Sequence, residues 1–226
     1  MHRTIRRLVA ELFGTFMLVF FGAGAVMTTN FPKGNFGLLG IAFAYGLATA
    51  IGVSATMAIS GGHLNPAVTA GMLAIRRIDA KTAVLYIAAQ LVGAALAALA
   101  LKMLVPPGVT KVMALGTPSI AATVTLGKAI AIEAMLTFFL MSAVLGTTVS
   151  PEAPRVAGFG VGLTLFIGIL IGGPLTGAAL NPARAFGPAL VSGQWISQGV
   201  YWVGPILGAL VAALLWEKLL LPKATD

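Results

Sequence analysis

The residues able to do chemistry in this chain are few, and two short stretches hold most of them. Leu64-Asn65-Pro66-Ala67-Val68 and Leu180-Asn181-Pro182-Ala183-Arg184 each set an Asn-Pro-Ala motif in a long apolar run. At membrane depth such a motif is costly, because Pro lacks an amide hydrogen and an unpaired polar group in hydrocarbon costs several kcal/mol. Its repetition therefore points to a site. In each copy Pro takes a first helical position and Asn the N-cap, so the Asn oxygen can accept from first-turn amides while its NH2 stays free to donate ahead. Asp could cap equally but offers no donor. Arg184 falls in the first turn after the second cap, where the helix dipole disfavours a cation by roughly 0.3 to 1 kcal/mol. The first copy has Val68 there, so the repeat itself does not demand Arg. A cation kept against that penalty fits donation into a water-filled lumen better than snorkelling to headgroups.

Glu11 and Glu133 are intramembrane acids, the default signature of a proton relay. Their recurrence at matching places in both halves favours a scaffold role instead, each accepting hydrogen bonds from the irregular backbone that leads into a half-helix. His63, whose counterpart is Ala179, reads equally as a lumen-edge ligand or as a packed, satisfied side chain. The chain has no Cys and two His, and no carboxylate pair lies near either His. Neither a thiolate, a disulfide framework nor a dedicated metal site is expected, and no catalytic residue or cofactor.

The elements that must position these residues are membrane spans. Of 226 residues 58% are apolar and only 9% charged, with a mean hydropathy of +0.99, whereas a soluble domain carries about 25% charged residues. The spans predicted from apolar runs are Leu8 to Met27, Leu38 to Ile59, Thr82 to Leu104, Gly127 to Val149, Val156 to Gly173 and Gly199 to Leu220. Each is long enough for about 30 Å of hydrocarbon. The first follows Arg3, Arg6 and Arg7 like a signal peptide, but its length and Glu11 fit a crossing helix better. Two shorter apolar pieces, Pro66 to Ile75 and Pro182 to Val191, have about half the length of a crossing and read as re-entrant half-helices. The predicted class is an all-α membrane protein with six transmembrane helices and two half-helices.

An internal repeat orders these pieces. Glu11-x-x-x-Thr15-Phe16 opens the first span and Glu133-x-x-x-Thr137-Phe138 the fourth, while Ser60-Gly61 and Thr176-Gly177 precede the two Leu-Asn-Pro-Ala stretches. The reading is a first repeat over 1–104, a connector over 105–126 rich in Pro and Gly, and a second repeat over 127–226. Three spans per repeat is an odd number, so the second copy is inverted and the site falls at the midplane between them. Two half-helix N-termini then face each other, donating to a neutral molecule's oxygen and repelling cations, protons included. Gly172-Gly173 and Gly61-Gly62 are expected in the extended chain before each half-helix. Threading the basic residues puts Arg3, Arg6, Arg7, Arg76, Arg77, Lys81, Arg155, Lys218 and Lys223 on one side and Lys33, Lys102, Lys111 and Lys128 on the other. By the positive-inside rule both termini are cytoplasmic and the host is the cytoplasmic membrane. The formal charge of +8 is scattered between apolar blocks, so no nucleic-acid partner is expected.

The double Asn-Pro-Ala box, Arg184 after the second and the paired Glu-x-x-x-Thr-Phe openings resemble the aquaporin and aquaglyceroporin (major intrinsic protein) family, in a bacterial or archaeal form. The resemblance covers nearly the whole chain. It implies a homotetramer in membrane lipid, each protomer with its own pore for water or small neutral solutes. It also implies a filter of Tyr45, Ile169, Ala178 and Arg184, with Asn65 and Asn181 as midplane donors. Water-selective members usually have His where Ile169 stands, which opens the way to ammonia, hydrogen peroxide or glycerol. Ala185 and Ala189, where glycerol-conducting members carry Asp and Lys, and the pair Tyr201-Trp202 point back to the water branch. The rivals are a glycerol or neutral-solute facilitator and, from another class, a proton-coupled secondary transporter, which shares inverted repeats and intramembrane acids. A cation channel fits poorly with a positive constriction, and no pair of titratable groups forms an enzyme pocket.

Overall fold

The computed structural model describes every residue except 1, 32, 155 and 223–226; Arg155 and Lys223, used above to thread the chain, lie outside the described residues. Nine α-helices run in order among the described residues: α1 (His2–Thr28), α2 (Gly37–Ser60), α3 (Pro66–Ala74), α4 (Ala80–Leu104), α5 (Pro107–Val112), α6 (Leu126–Val144), α7 (Phe159–Thr176), α8 (Pro182–Ser192) and α9 (Val200–Leu215). A π-helical turn prolongs α6 over Leu145–Val149 and another prolongs α9 over Trp216–Leu220. With these, six helices are long and apolar enough to cross a membrane, and α3, α8 and the six-residue α5 are the three that are not.

Two expectations need correction. The fifth span runs Phe159–Thr176 rather than Val156 to Gly173, with Pro174 inside its last turn and Gly177 (φ +79°) as its left-handed cap. Gly172 and Gly173 are therefore helical, and their missing side chains make room for neighbours: a Cβ on Gly172 would lie 2.4 Å from Leu136, and one on Gly173 2.8 Å from Leu38. Only the Gly61-Gly62 pair serves an extended stretch, at φ +95° and +63°. The connector is also more ordered than a loop. Pro107, fixed near a helical φ, starts α5, and a 3-10 turn follows over Ala114–Gly116.

The bundle is tight where small residues meet backbone. A Cβ on Gly93 of α4 would lie 2.3 Å from the Leu12 carbonyl of α1, and one on Gly208 of α9 2.0 Å from the Ala134 carbonyl of α6. Glycines at these crossings let the helix pairs α1/α4 and α6/α9 approach backbone to backbone. The two halves interlock, α2 packing on α7, α4 on α8 and α3 on α9. The core they share holds Leu18, Tyr45, Leu64, Ile169 and Leu180, whereas Phe13, Phe43, Val84 and Ile171 point outward, each more than half exposed. An apolar exterior of this kind is what a hydrocarbon solvent selects, so the chain is a multi-pass membrane protein.

Candidate functional site

Each half-helix begins with a cap whose two ends do different work. Asn65 Oδ1 accepts from the Ala67 amide (2.8 Å), and Asn181 Oδ1 from the amides of Ala183 (2.9 Å) and Arg184 (3.3 Å). Asn65 Nδ2 donates to the Leu180 carbonyl (2.9 Å) and Asn181 Nδ2 to the Leu64 carbonyl (2.8 Å). The amide groups are thus only half free, a correction to the expectation above: one hydrogen of each clamps the opposite half-helix, and the other remains. The carbonyls reach across because Leu64 (φ +51°) and Leu180 (φ +52°) take left-handed backbone. That conformation costs a branched residue about 1 to 2 kcal/mol, offset here by the cross-bond and by complete burial of both side chains.

The two acids hold the chain that leads into these caps. Glu11 Oε1 accepts from Ser60 Oγ (2.6 Å) and the His63 amide (3.0 Å), and Oε2 from the Leu64 amide (2.7 Å) and Gln90 Nε2 (2.7 Å). Glu133 Oε1 accepts from Thr176 Oγ1 (2.7 Å) and the Ala179 amide (3.0 Å), and Oε2 from the Leu180 amide (2.8 Å). Both carboxylates are completely buried with all their bonds to protein. Tyr86 and Tyr201 add a matched pair, their hydroxyls donating to the Ser60 and Thr176 carbonyls at 2.8 Å each. Sequence reasoning missed Tyr86 and Gln90, although a Gln in an apolar span is a readable signal. It took Tyr201 only as a marker of subtype.

Tyr45, His63, Asn65, Ile169, Ala178, Asn181 and Arg184 line one narrow passage. The space open to the centre of a water molecule is about 20 Å³, close to the least that can hold one water. Gly62 to Asn65 together with Ala178, Ala179 and Asn181 make up its polar wall, and the lining also includes the apolar side chains of Leu18, Val53, Leu140, Val161, Leu165 and Ile169. Glu11 and Glu133 stand behind the polar wall and do not line the passage. His63 does, while its Nδ1 pairs with Thr69 Oγ1 at 3.1 Å and its ring meets Tyr86 edge-on.

Arg184 is buried, 4% exposed, and does not snorkel. Its Nη1 donates to the Gly116 carbonyl (3.0 Å) in the connector, and its guanidinium carbon sits 4.8 Å from the Tyr45 ring centroid. Gly116, at φ +74°, is a site residue that sequence reasoning missed: it read as loop, and nothing local to it signals a contact with Arg184. Arg184 Nε and Tyr45 Oη are buried without a hydrogen-bond partner among the described residues, and both side chains line the passage. Room for the Tyr45 ring comes from Gly22, where a Cβ would lie 1.9 Å from it.

Six crossing helices around two opposed, cross-bonded half-helices define a multi-pass membrane protein with an enclosed, half-polar path. The major intrinsic protein family model matches residues 1–216, and the chain belongs to that family. It is 44% identical to "Aquaporin TIP4-4" of Zea mays, over 97% of this chain and 88% of that one. To "Aquaporin-2" of Bos taurus it is 36% identical, over 97% of this chain and 80% of that one. The structure of the aquaglyceroporin from Plasmodium falciparum superimposes with a TM-score of 0.82 and 26% identity, over 96% of each chain. These relatives lend no support to a bacterial or archaeal form.

Proposed function

We propose that the chain is a passive channel for water and small uncharged solutes that excludes ions and protons. The observation that carries this reading is the reciprocal clamp, Asn65 to Leu180 and Asn181 to Leu64, beside a passage with room for about one water. Each Asn keeps a donor for a permeant oxygen, and two half-helix N-termini with Arg184 make the constriction positive. Tyr45, Ile169, Ala178 and Arg184 form the filter, Asn65 and Asn181 are the midplane donors, Glu11 and Glu133 the scaffold, and His63 lines the far side. No covalent step or cofactor enters. Residues 1–104 and 127–226 are the inverted repeats, joined by 105–126. The channel is a homotetramer in the cytoplasmic membrane with both termini in the cytoplasm.

Ile169 favours a second permeant beside water. An apolar side chain there removes a partner for water and eases passage of less hydrated solutes such as ammonia, hydrogen peroxide or glycerol. Stopped-flow light scattering on proteoliposomes separates the cases. An impermeant osmolyte should give fast, protein-dependent shrinkage. With glycerol, slow re-swelling marks a water channel and fast re-swelling a solute facilitator. Ile169→His should lower the solute flux, and an unchanged flux would sink the assignment of Ile169 to the filter. A protonophore should leave all fluxes untouched, whereas a proton-coupled transporter would lose concentrative uptake.

A further inference from the structure

On the side of the molecule where α1 begins, a funnel of about 840 Å³ is enclosed by α1, the end of α2, the turn after α3 and the start of α4. Its wall carries Arg3, Arg6, Arg7, Arg76 and Arg77, with Asp79 as its one carboxylate. Ser60, Gly61 and His63 are part of its lining, and His63 lines the narrow passage as well, so one side chain borders both spaces.

The arginines converge from two segments. Arg3, Arg6 and Arg7 are three and four residues apart and share one face of α1. Arg76 and Arg77 sit in the tight turn that closes α3, where their amides donate to the Leu73 (3.0 Å) and Met72 (2.9 Å) carbonyls. Arg76 holds a left-handed φ of +58°. Gly would take that position without the cost of about 1 to 2 kcal/mol, yet a charged side chain stands there.

Nearby acids do not neutralise this charge. Asp79 is occupied as the cap of α4, its two oxygens accepting from the Thr82 amide (2.9 Å) and hydroxyl (2.6 Å), and those bonds hold its carboxyl below the usual range. Glu217 pairs with Arg77 at 3.0 Å, the one salt bridge among the described residues. Arg3, Arg6, Arg7 and Arg76 therefore face the funnel with no carboxylate partner among the described residues. The positive-inside rule asks only for charge on this side and not for its convergence on one concave wall, and neutral permeants gain nothing from such a field. An anion gains from it, because a cleft focuses the field of its wall. Guanidinium forks match phosphate oxygens two at a time, and the funnel is far larger than a single phosphate.

We propose that this funnel binds a multiply charged, phosphate-bearing anion, and that a bound anion closes the approach to the pore. The binding half rests on the funnel alone; the closing half rests on the channel reading above. Two sources share this chemistry, a soluble polyphosphate compound and an anionic lipid headgroup reaching in from the membrane surface.

Inorganic tripolyphosphate is the probe. Isothermal titration of the detergent-solubilised full chain should show saturable binding that weakens as salt rises. The double variant Arg7→Gln/Arg76→Gln should bind about tenfold more weakly. Arg3→Gln/Arg6→Gln, both at exposed residues, repeats the test if the first pair misfolds. Absence of binding, or binding unchanged in both double variants, overturns the site. Water flux is then followed in phosphatidylcholine vesicles with tripolyphosphate on either side, and, without it, in vesicles containing a phosphoinositide that bears phosphomonoesters. Slower shrinkage in the first set, from one side only, assigns a soluble anion. Slower shrinkage only in the second, relieved by the variants, assigns a lipid headgroup. Undiminished flux in both overturns the closing role. Intact binding with no protein-dependent flux anywhere would instead sink the channel reading and leave the site standing.

Discussion

The two approaches to the passage, one leading into α3 and the other into α8, are built alike behind the polar wall and differ along it. Behind it, Glu11 matches Glu133, Ser60 matches Thr176, Tyr86 matches Tyr201, and Leu64 and Leu180 take the same left-handed turn. Along it, the first copy has Gly62, His63 and Val68 at the positions where the second has Ala178, Ala179 and Arg184. The shared residues are those that satisfy buried backbone, a need identical in both halves. The divergent ones line the passage itself.

Breaking the shared part should cost most. Glu11→Ala strands four donors and Glu133→Ala three. At about 1 to 3 kcal/mol for each unsatisfied buried group, neither variant should yield folded protein, and Glu11→Ala should be the worse. Yield of monodisperse protein in detergent and its thermal midpoint check this.

The clamp comes next. Asn65→Asp and Asn181→Asp each remove the cross-donor and leave a Leu carbonyl unpaired, a loss of about 1 to 3 kcal/mol that should be equal in the two halves and accompanied by slower water flux. If one variant is silent and the other severe, the equivalence of the two caps fails.

Copying one half into the other sharpens the contrast along the wall. Arg184→Val gives α8 the residue of α3, frees the Gly116 carbonyl and removes the positive charge. Glycerol flux should rise severalfold and ion exclusion weaken, with the fold retained. The smallest effect belongs to Ala178→Gly, the residue of the first half. Ala178 sits at φ +42°, so the change should stabilise by about 0.5 kcal/mol, read as a small rise in the thermal midpoint.

Much of the architecture was legible because a bilayer leaves few choices. Apolar length alone located six spans, and the half-length pieces after Asn65 and Asn181 could only be half-helices. The duplication of Glu11 and Glu133 pointed to the backbone before each half-helix, whose amides do donate to them. What escaped were features decided by contacts distant in sequence. Gly172-Gly173 read as extended chain, yet they lie inside α7 and make room for Leu136 and Leu38. The Gly116 anchor lies in a connector whose composition says only "turn". The cross-clamp needs Leu in a left-handed conformation, which no propensity would assign to it, and so one hydrogen of each Asn seemed free when it is not.

The central claim is that one narrow path passes neutral molecules while its facing half-helices and Arg184 refuse charge. It is tested most directly by following osmotic shrinkage and the decay of an imposed pH gradient in the same proteoliposomes. The account predicts shrinkage far faster than in empty vesicles, with a pH gradient that decays no faster than theirs. Protein-dependent collapse of the gradient, or shrinkage no faster than lipid alone, would contradict it.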